Sequence, residues 1–182
     1  MLTRATELWR GAPAVAAALV VAAAATATIA GAWFFELVIK LKPCPLCLEQ
    51  RWPYYVAIPL ALIVAAAAWR RAPRAIVIGG LIALALVLLW GAGLGVYHAG
   101  IEWKLWTGPA DCSGAAELGP ASDFLKRLAN QNIQRCDEAA WRFLGLSLAG
   151  YNALIAAALA LVALCGAAAI RRTPYGSSSV SQ

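Results

Sequence analysis

Pro43-Cys44-Pro45-Leu46-Cys47-Leu48-Glu49-Gln50-Arg51 sets two cysteines and an arginine between two long apolar runs. Cysteines two residues apart close a small disulfide loop suited to repeated thiol exchange. The same spacing is also half of a zinc site. Which chemistry applies depends on where the stretch lies relative to the runs on either side.

A chain of 182 residues with 62% hydrophobic and 13% charged residues, and a mean hydropathy of +0.70, is too apolar for a soluble domain and belongs in a bilayer. A helix crosses the hydrocarbon with roughly 20 apolar residues. Four runs free of Asp, Glu, Lys and Arg qualify, at about 12–35, 52–69, 75–101 and 143–170. They predict an all-α membrane protein, a four-transmembrane-helix bundle forming a single domain over residues 1–182. Two loops join the spans on one side, 36–51 and 102–142, and the polar, Ser-rich tail within 171–182 reads as disordered. Arg4 and Arg10 before an Ala-rich segment resemble the start of a signal peptide. The first run, however, exceeds the usual h-region of about 7 to 15 residues and ends in the aromatic anchor Trp33-Phe34-Phe35, so it is expected to be a retained span.

The basic residues orient the bundle. Arg4, Arg10, Arg70, Arg71, Arg74, Arg171 and Arg172 lie on one side against Glu7 alone, which accounts for the whole formal charge of +6; on the other side acids balance Lys40, Lys42, Arg51, Lys104, Lys126, Arg127, Arg135 and Arg142. The positive-inside rule places both termini in the cytoplasm and both longer loops outside. The charge is therefore a topology signal, and nucleic-acid binding is not expected.

This topology sorts the cysteines. Cys44 and Cys47 fall in the first external loop, where the second span begins, and Cys112 and Cys136 fall in the second. Cys165 lies deep in the last span, roughly 33 Å from its outer end at 1.5 Å per residue, and reads as a small buried hydrophobe. Four external cysteines allow three disulfide connectivities, and spacing alone does not choose among them. Structural staples or one zinc ion remain open readings. Zinc is the weaker, because Cys112 and Cys136 form no second CxxC and have no nearby histidine.

Pro45 suits the first position of a helix, which leaves Cys44 as its cap. A thiol there faces the positive end of the helix dipole, which favours thiolate. In continuous helical register Cys44, Cys47 and Arg51 are related as i, i+3 and i+7, so they share a face with Arg51 about one turn deeper than Cys47. A cation at that depth either supports a thiolate and holds a carbonyl of an apolar ligand, or snorkels to the headgroups. Pro53 and Pro59 are expected to bend this span and open a gap between helices.

Three stretches carry a resemblance: Cys44-Pro45-Leu46-Cys47-Leu48-Glu49-Gln50-Arg51, then Tyr97-His98-Ala99-Gly100-Ile101-Glu102-Trp103, then Cys136-Asp137-Glu138 leading into Trp141-Arg142-Phe143-Leu144-Gly145-Leu146-Ser147. Their order and the four-span topology resemble the disulfide bond formation protein B (DsbB) family of bacterial inner-membrane thiol:quinone oxidoreductases, over about residues 10 to 170. The resemblance implies an electron path. A reduced periplasmic thioredoxin-fold oxidant of the DsbA type attacks a Cys112–Cys136 disulfide, with the mixed disulfide at Cys112. The Cys44–Cys47 pair reoxidises it and passes two electrons to the membrane quinone pool, ubiquinone or menaquinone, with Cys47 nearest the ring and Arg51 holding a quinone oxygen. Such a sink must be more oxidising than the partner dithiol.

The rest of the sequence can be set beside this path. Gly108-Pro109, Gly114 and Gly119-Pro120 surround Cys112 and predict an irregular, adaptable loop. Ser122 or Asp123 can cap a short helix whose face of Phe124, Leu125 and Leu128 lies on the membrane or packs on the bundle. Trp103, Trp106 and Trp141 mark the outer interface. His98, the sole histidine, is placed to donate to a quinone or take up a proton, or else to be an ordinary boundary residue. Glu49 is read as a partner for Arg51 rather than a catalytic group. The alternative function is a non-catalytic four-span protein whose external disulfides or zinc only stabilise loops. Vitamin K epoxide reductases also couple thiols to a quinone, but carry their CxxC near the outer end of a later span.

Overall fold

The computed structural model describes residues 13–109 and 135–172. Four helices in it are long and apolar enough to cross a membrane: Pro13–Leu37, Pro45–Trp69, Arg74–Glu102 and Leu148–Arg171. The first is α1 (Pro13–Leu37). The second is a short helix α2 (Pro45–Glu49) followed by α3 (Trp52–Trp69). The third is α4 (Arg74–Glu102), and the fourth is α5 (Leu148–Arg172). Each of α1, α3, α4 and α5 packs along the next, and α5 closes the ring on α1, while α1 and α4 barely touch across the diagonal. This is the four-helix membrane bundle expected from the apolar runs.

Lipid solvates an apolar side chain about as well as a protein core does, so such helices associate by close packing of small residues. The core accordingly runs through Ala22 and Ala25 of α1, Ala57 and Ala61 of α3, Ala85 and Ala92 of α4, and Ala156, Ala160 and Ala163 of α5. Contact is closest where α4 meets α5. A Cβ added at Gly95 would stand 2.8 Å from the Ala153 amide nitrogen and 3.0 Å from the Ala149 carbonyl oxygen, so only glycine permits this approach. Gly95 lies one turn from His98, and the tight crossing fixes the height of that ring.

Two boundaries differ from the apolar runs. The second span starts at Pro45 rather than Trp52, with a break between α2 and α3. Pro53 has no N–H to give the Glu49 carbonyl, and its ring crowds that oxygen. The chain there tightens to three-residue turns, Arg51 N to Leu48 O and Tyr54 N to Arg51 O, both 3.1 Å. Pro59, by contrast, lies within an uninterrupted α3.

The last helix starts at Leu148, later than the apolar run that opens at Phe143. Before it, β1 (Arg142–Phe143) and β2 (Leu146–Ser147) pair antiparallel, Arg142 with Ser147 and Phe143 with Leu146. Leu144 and Gly145 turn the hairpin with φ of 48° and 83°, the positive pair that a two-residue turn of the type I′ form requires. Ser147 Oγ then accepts from Gly150 N at 3.2 Å, capping α5.

At the ends of α3 and α4 the chain closes through left-handed Arg71 (φ 55°) and Lys104 (φ 60°). Ala72 N reaches Ala67 O and Leu105 N reaches Gly100 O, each at 2.9 Å, which satisfies carbonyls otherwise left open. Both closing residues are cations at the negative helix end, where charge of that sign is favoured.

Candidate functional site

The first cysteine is where a helix start puts it. Cys44 caps α2 in extended backbone with Pro45 at the first helical position, and its sulfur accepts from Cys47 N at 3.2 Å. The two sulfurs are 2.6 Å apart, so a disulfide between them closes without moving the backbone. Cys44 is 2% exposed. Its thiol is pushed up, first by the hydrogen it shares with the Cys47 sulfur and then by burial. These outweigh the helix-end preference for thiolate and leave Cys44 as the proton-holding sulfur of the pair.

Cys136 lies in the same buried cluster as Cys44, Leu46 and Ile101, with Cys47 packed against it. It is fully buried and disulfide-bonded, and none of the other described cysteines is its partner, since Cys44, Cys47 and Cys165 are free. Cys112 lies outside the described residues, as does the segment from Ser122 to Leu128. Cys165 sits in α5 with its side chain exposed on the outside of the bundle, not buried as the sequence suggested.

The segment carrying Cys136 is tied down from α4. Asp137 accepts from Lys104 Nζ at 2.7 Å and from Arg135 Nη2 at 2.8 Å and Nε at 2.9 Å, and Lys104 also reaches the Asp137 carbonyl at 3.0 Å. The Arg135 and Lys104 hydrogen bonds hold the Asp137 carboxyl well below the usual carboxylate range.

His98 stands between the two sulfur sites. It is 3% exposed, its Nε2 is 3.7 Å from Cys44 Sγ and 3.8 Å from Glu102 Oε1, and the Cys136 main chain also reaches the ring. Its Nδ1 lies 2.6 Å from Gln50 Nε2. Gln50 Oε1 accepts from Asn152 Nδ2 at 2.7 Å, and Asn152 Oδ1 accepts from Tyr54 Oη at 2.7 Å.

Arg51 does not snorkel outward. It is buried at the break between α2 and α3, its Nη1 is 2.7 Å from Glu36 Oε2 of α1, and its guanidinium lies 5.4 Å from the centre of the Trp33 ring. Glu49, the expected partner, is exposed. The Arg51–Glu36 contact is short but not aligned as a hydrogen bond, for among the described residues Glu36 Oε2 has no hydrogen-bond donor, and neither has Glu102 Oε2.

These groups face one cavity of about 310 Å³. Ile29, Ala32 and Phe35 of α1 and Leu148 and Ile155 of α5 form its apolar walls, while Cys47, Arg51, His98 and Glu102 line its polar end. Its size falls at the small end of ligand pockets, and its makeup is the usual one of apolar walls with a few placed polar groups. Cys44, Cys47 and His98 hold three metal-ligating atoms within 4.8 Å of one another, which any close redox dithiol beside a histidine also does.

The sequence points to Cys44, Cys47, Cys136, Arg51 and His98, and the structure brings those five together. Glu36, Gln50, Tyr54, Glu102 and Asn152, to which the sequence assigns no role beyond the stretches they lie in, stand beside them. An amide or carboxylate within a membrane span is itself a signal, since an unpaired one is costly there.

Fold and site together define a multi-pass membrane protein that keeps a dithiol at a helix start beside a second, buried disulfide. Comparison with known proteins narrows the class. The profile of the family described as disulfide bond formation protein DsbB matches residues 14–166. A disulfide bond formation protein B of Marinobacter nauticus is 32% identical over 145 residues, covering 75% of this chain and 81% of that protein. One from a Psychrobacter species is 32% identical over 133 residues, covering 68% and 73%. An uncharacterised Rickettsia prowazekii protein is 28% identical over 127 residues, covering 68% and 70%. No solved structure matches the chain. The chain belongs to the DsbB family, and is thus a multi-pass inner-membrane disulfide oxidoreductase with a role in disulfide bond formation.

Proposed function

We propose that the protein reoxidises a periplasmic DsbA-type dithiol and passes the two electrons through two disulfides to a membrane quinone. The observation that carries this reading is the shared burial of Cys136 with Cys44, Cys47 packed against them, where Cys44 and Cys47 form part of the wall of an apolar cavity between helices. A structural staple needs no second dithiol against it.

In the proposed path the partner's thiolate attacks Cys112 of a Cys112–Cys136 disulfide, and Cys136 leaves as thiolate. A second partner thiol resolves the mixed disulfide, leaving Cys112 and Cys136 reduced. Cys136, packed beside Cys44, then attacks the Cys44–Cys47 disulfide at Cys44, and Cys47 leaves as thiolate on the cavity side. Cys112 displaces Cys44 from Cys136, so the outer disulfide re-forms and the inner pair carries the electrons.

A quinone in the cavity supplies a sink for two electrons and two protons. The residues fit one: Arg51 has donors for a ring oxygen, Cys47 lies on the same lining, and the α1 and α5 side chains give it apolar walls. Glu102 Oε2, a buried acceptor with no hydrogen-bond donor among the described residues, is suited to a hydroxyl group that the reduced ring presents. The proposed orientation, with both termini cytoplasmic and the cysteine loops periplasmic, rests on the placement of arginines described above, and a single membrane domain over residues 1–182 accommodates it.

Cys136→Ser tests the direction of the path. With oxidised partner, whose disulfide the free Cys112 thiolate opens as the partner's second sulfur leaves as thiolate, it is expected to accumulate a mixed disulfide at Cys112, found by mass spectrometry, while Cys112→Ser traps none. Equal trapping by both variants, or by neither, contradicts the assignment.

A further inference from the structure

The amide chain beside His98, whose members also line the cavity, carries no electrons in the proposed path, yet its members leave little freedom. Gln50 Nε2 faces the Leu46 carbonyl at 3.4 Å as well as His98 Nδ1 at 2.6 Å. A main-chain carbonyl only accepts, so the end of the Gln50 amide turned toward it is the NH₂ group. Oε1 then faces Asn152 Nδ2, and Asn152 Oδ1 faces the Tyr54 hydroxyl. Every bond in the chain runs one way, and it ends with a donor on His98 Nδ1. That nitrogen is therefore an acceptor, and a neutral imidazole carries its one hydrogen on the other, Nε2. Nε2 is the atom 3.7 Å from Cys44 Sγ and 3.8 Å from Glu102 Oε1.

We propose that Asn152 and Tyr54 are positioning residues for the thiol chemistry: through Gln50 they hold His98 as the Nε2–H tautomer, with that nitrogen facing Cys44 Sγ. The three side chains come from α5, α3 and the break between α2 and α3, so the bundle itself sets the tautomer. Reversing any one amide would set two acceptors or two donors face to face in a largely buried site, which is costly. In this tautomer His98 donates to Cys44 whenever that sulfur is released as thiolate, and does not take the Cys44 proton at Nε2. The consequence for catalysis rests on the proposed relay, whereas the tautomer does not.

His98 is the sole histidine, so the full chain labelled with [¹⁵N]histidine and purified by a tag without histidine gives one pair of ring nitrogen resonances. The wild type is expected to show an unprotonated Nδ1 and a protonated Nε2, favoured about tenfold as one net hydrogen bond allows. Asn152→Leu should reduce that preference to a mixture, and Tyr54→Phe, which removes a single oxygen, should reduce it in part. Turnover with partner and quinone should fall in kcat with the partner's KM unchanged. A wild-type spectrum with the hydrogen on Nδ1 overturns the proposal without any variant, and so does a folded Asn152→Leu or Tyr54→Phe protein with the wild-type ratio. If the Nε2–H form depends on Asn152 in a protein that oxidises no partner, the chain stands and the relay falls.

Discussion

Arg51 and Glu36 show what a single charge contributes at this depth. The ion pair at 2.7 Å is largely shielded from solvent, and removing one partner of a shielded pair leaves the other uncompensated. Arg51→Ala is expected to raise the apparent KM for quinone at least about tenfold, the loss of roughly one charge-assisted hydrogen bond. The rate of partner attack on the outer disulfide, followed by rapid quench without quinone, should stay at the wild-type value. Asp137 acts on the other side of the site. Its folded-state pKa is depressed by Arg135 and Lys104, so its contribution is complete above the unfolded carboxylate range near 4 and is lost only as pH falls through the lower folded value. Corrected for intrinsic rate, hydrogen exchange at the Cys136 amide should therefore be flat between about pH 7 and pH 5. In Asp137→Asn it should be faster throughout that window. A wild-type rate that climbs as pH approaches 5 contradicts the depressed carboxyl.

At the scale of elements, two glycines of α4 differ in whether a helix crossing depends on them. Gly95→Ala puts a methyl against the Ala153 backbone, and backbone cannot swing away. It should cost about 1 to 3 kcal/mol, the usual penalty for overpacking, read as an earlier unfolding midpoint in mixed micelles. Gly93 on the same helix has nothing within 4 Å of an added Cβ, so Gly93→Ala should be neutral or gain a few tenths of a kcal/mol from helix propensity. Similar losses at both positions would mean that α4 and α5 do not cross where described. Much at this scale was legible in the sequence, because the signals are local. Four apolar runs mark four helices, and Cys44 before Pro45 marks a helix start. The late start of α5 was equally local but masked: Leu144, Gly145 and Ser147 sit in an uncharged run, so the turn glycine and capping serine were absorbed into a span. The break before Pro53 follows from one missing N–H. Its consequence, an arginine turned toward α1, needs the position of another helix.

For the whole molecule, the site is an agreement among elements far apart in sequence. The pairings of Gln50 with Asn152, Tyr54 with Asn152, Arg51 with Glu36 and Cys44 with His98 depend on the ring order of the helices and on the height of each crossing. Periodicity carries neither quantity, which is why the cysteines and Arg51 could be named from the chain while their neighbours could not. The arrangement sets the buried Cys136 against the Cys44–Cys47 pair, which lines an apolar cavity, and the proposed relay runs in that order. The central claim is that the two pairs are coupled to a quinone. It is tested most directly by mixing the purified protein with a reduced DsbA-type partner and ubiquinone, and following partner thiols and quinone absorbance in the same sample. One quinone should be reduced for each partner disulfide formed, and both signals should vanish together in Cys47→Ser. Partner oxidation that proceeds without quinone reduction, or no oxidation by the wild type, would contradict the account.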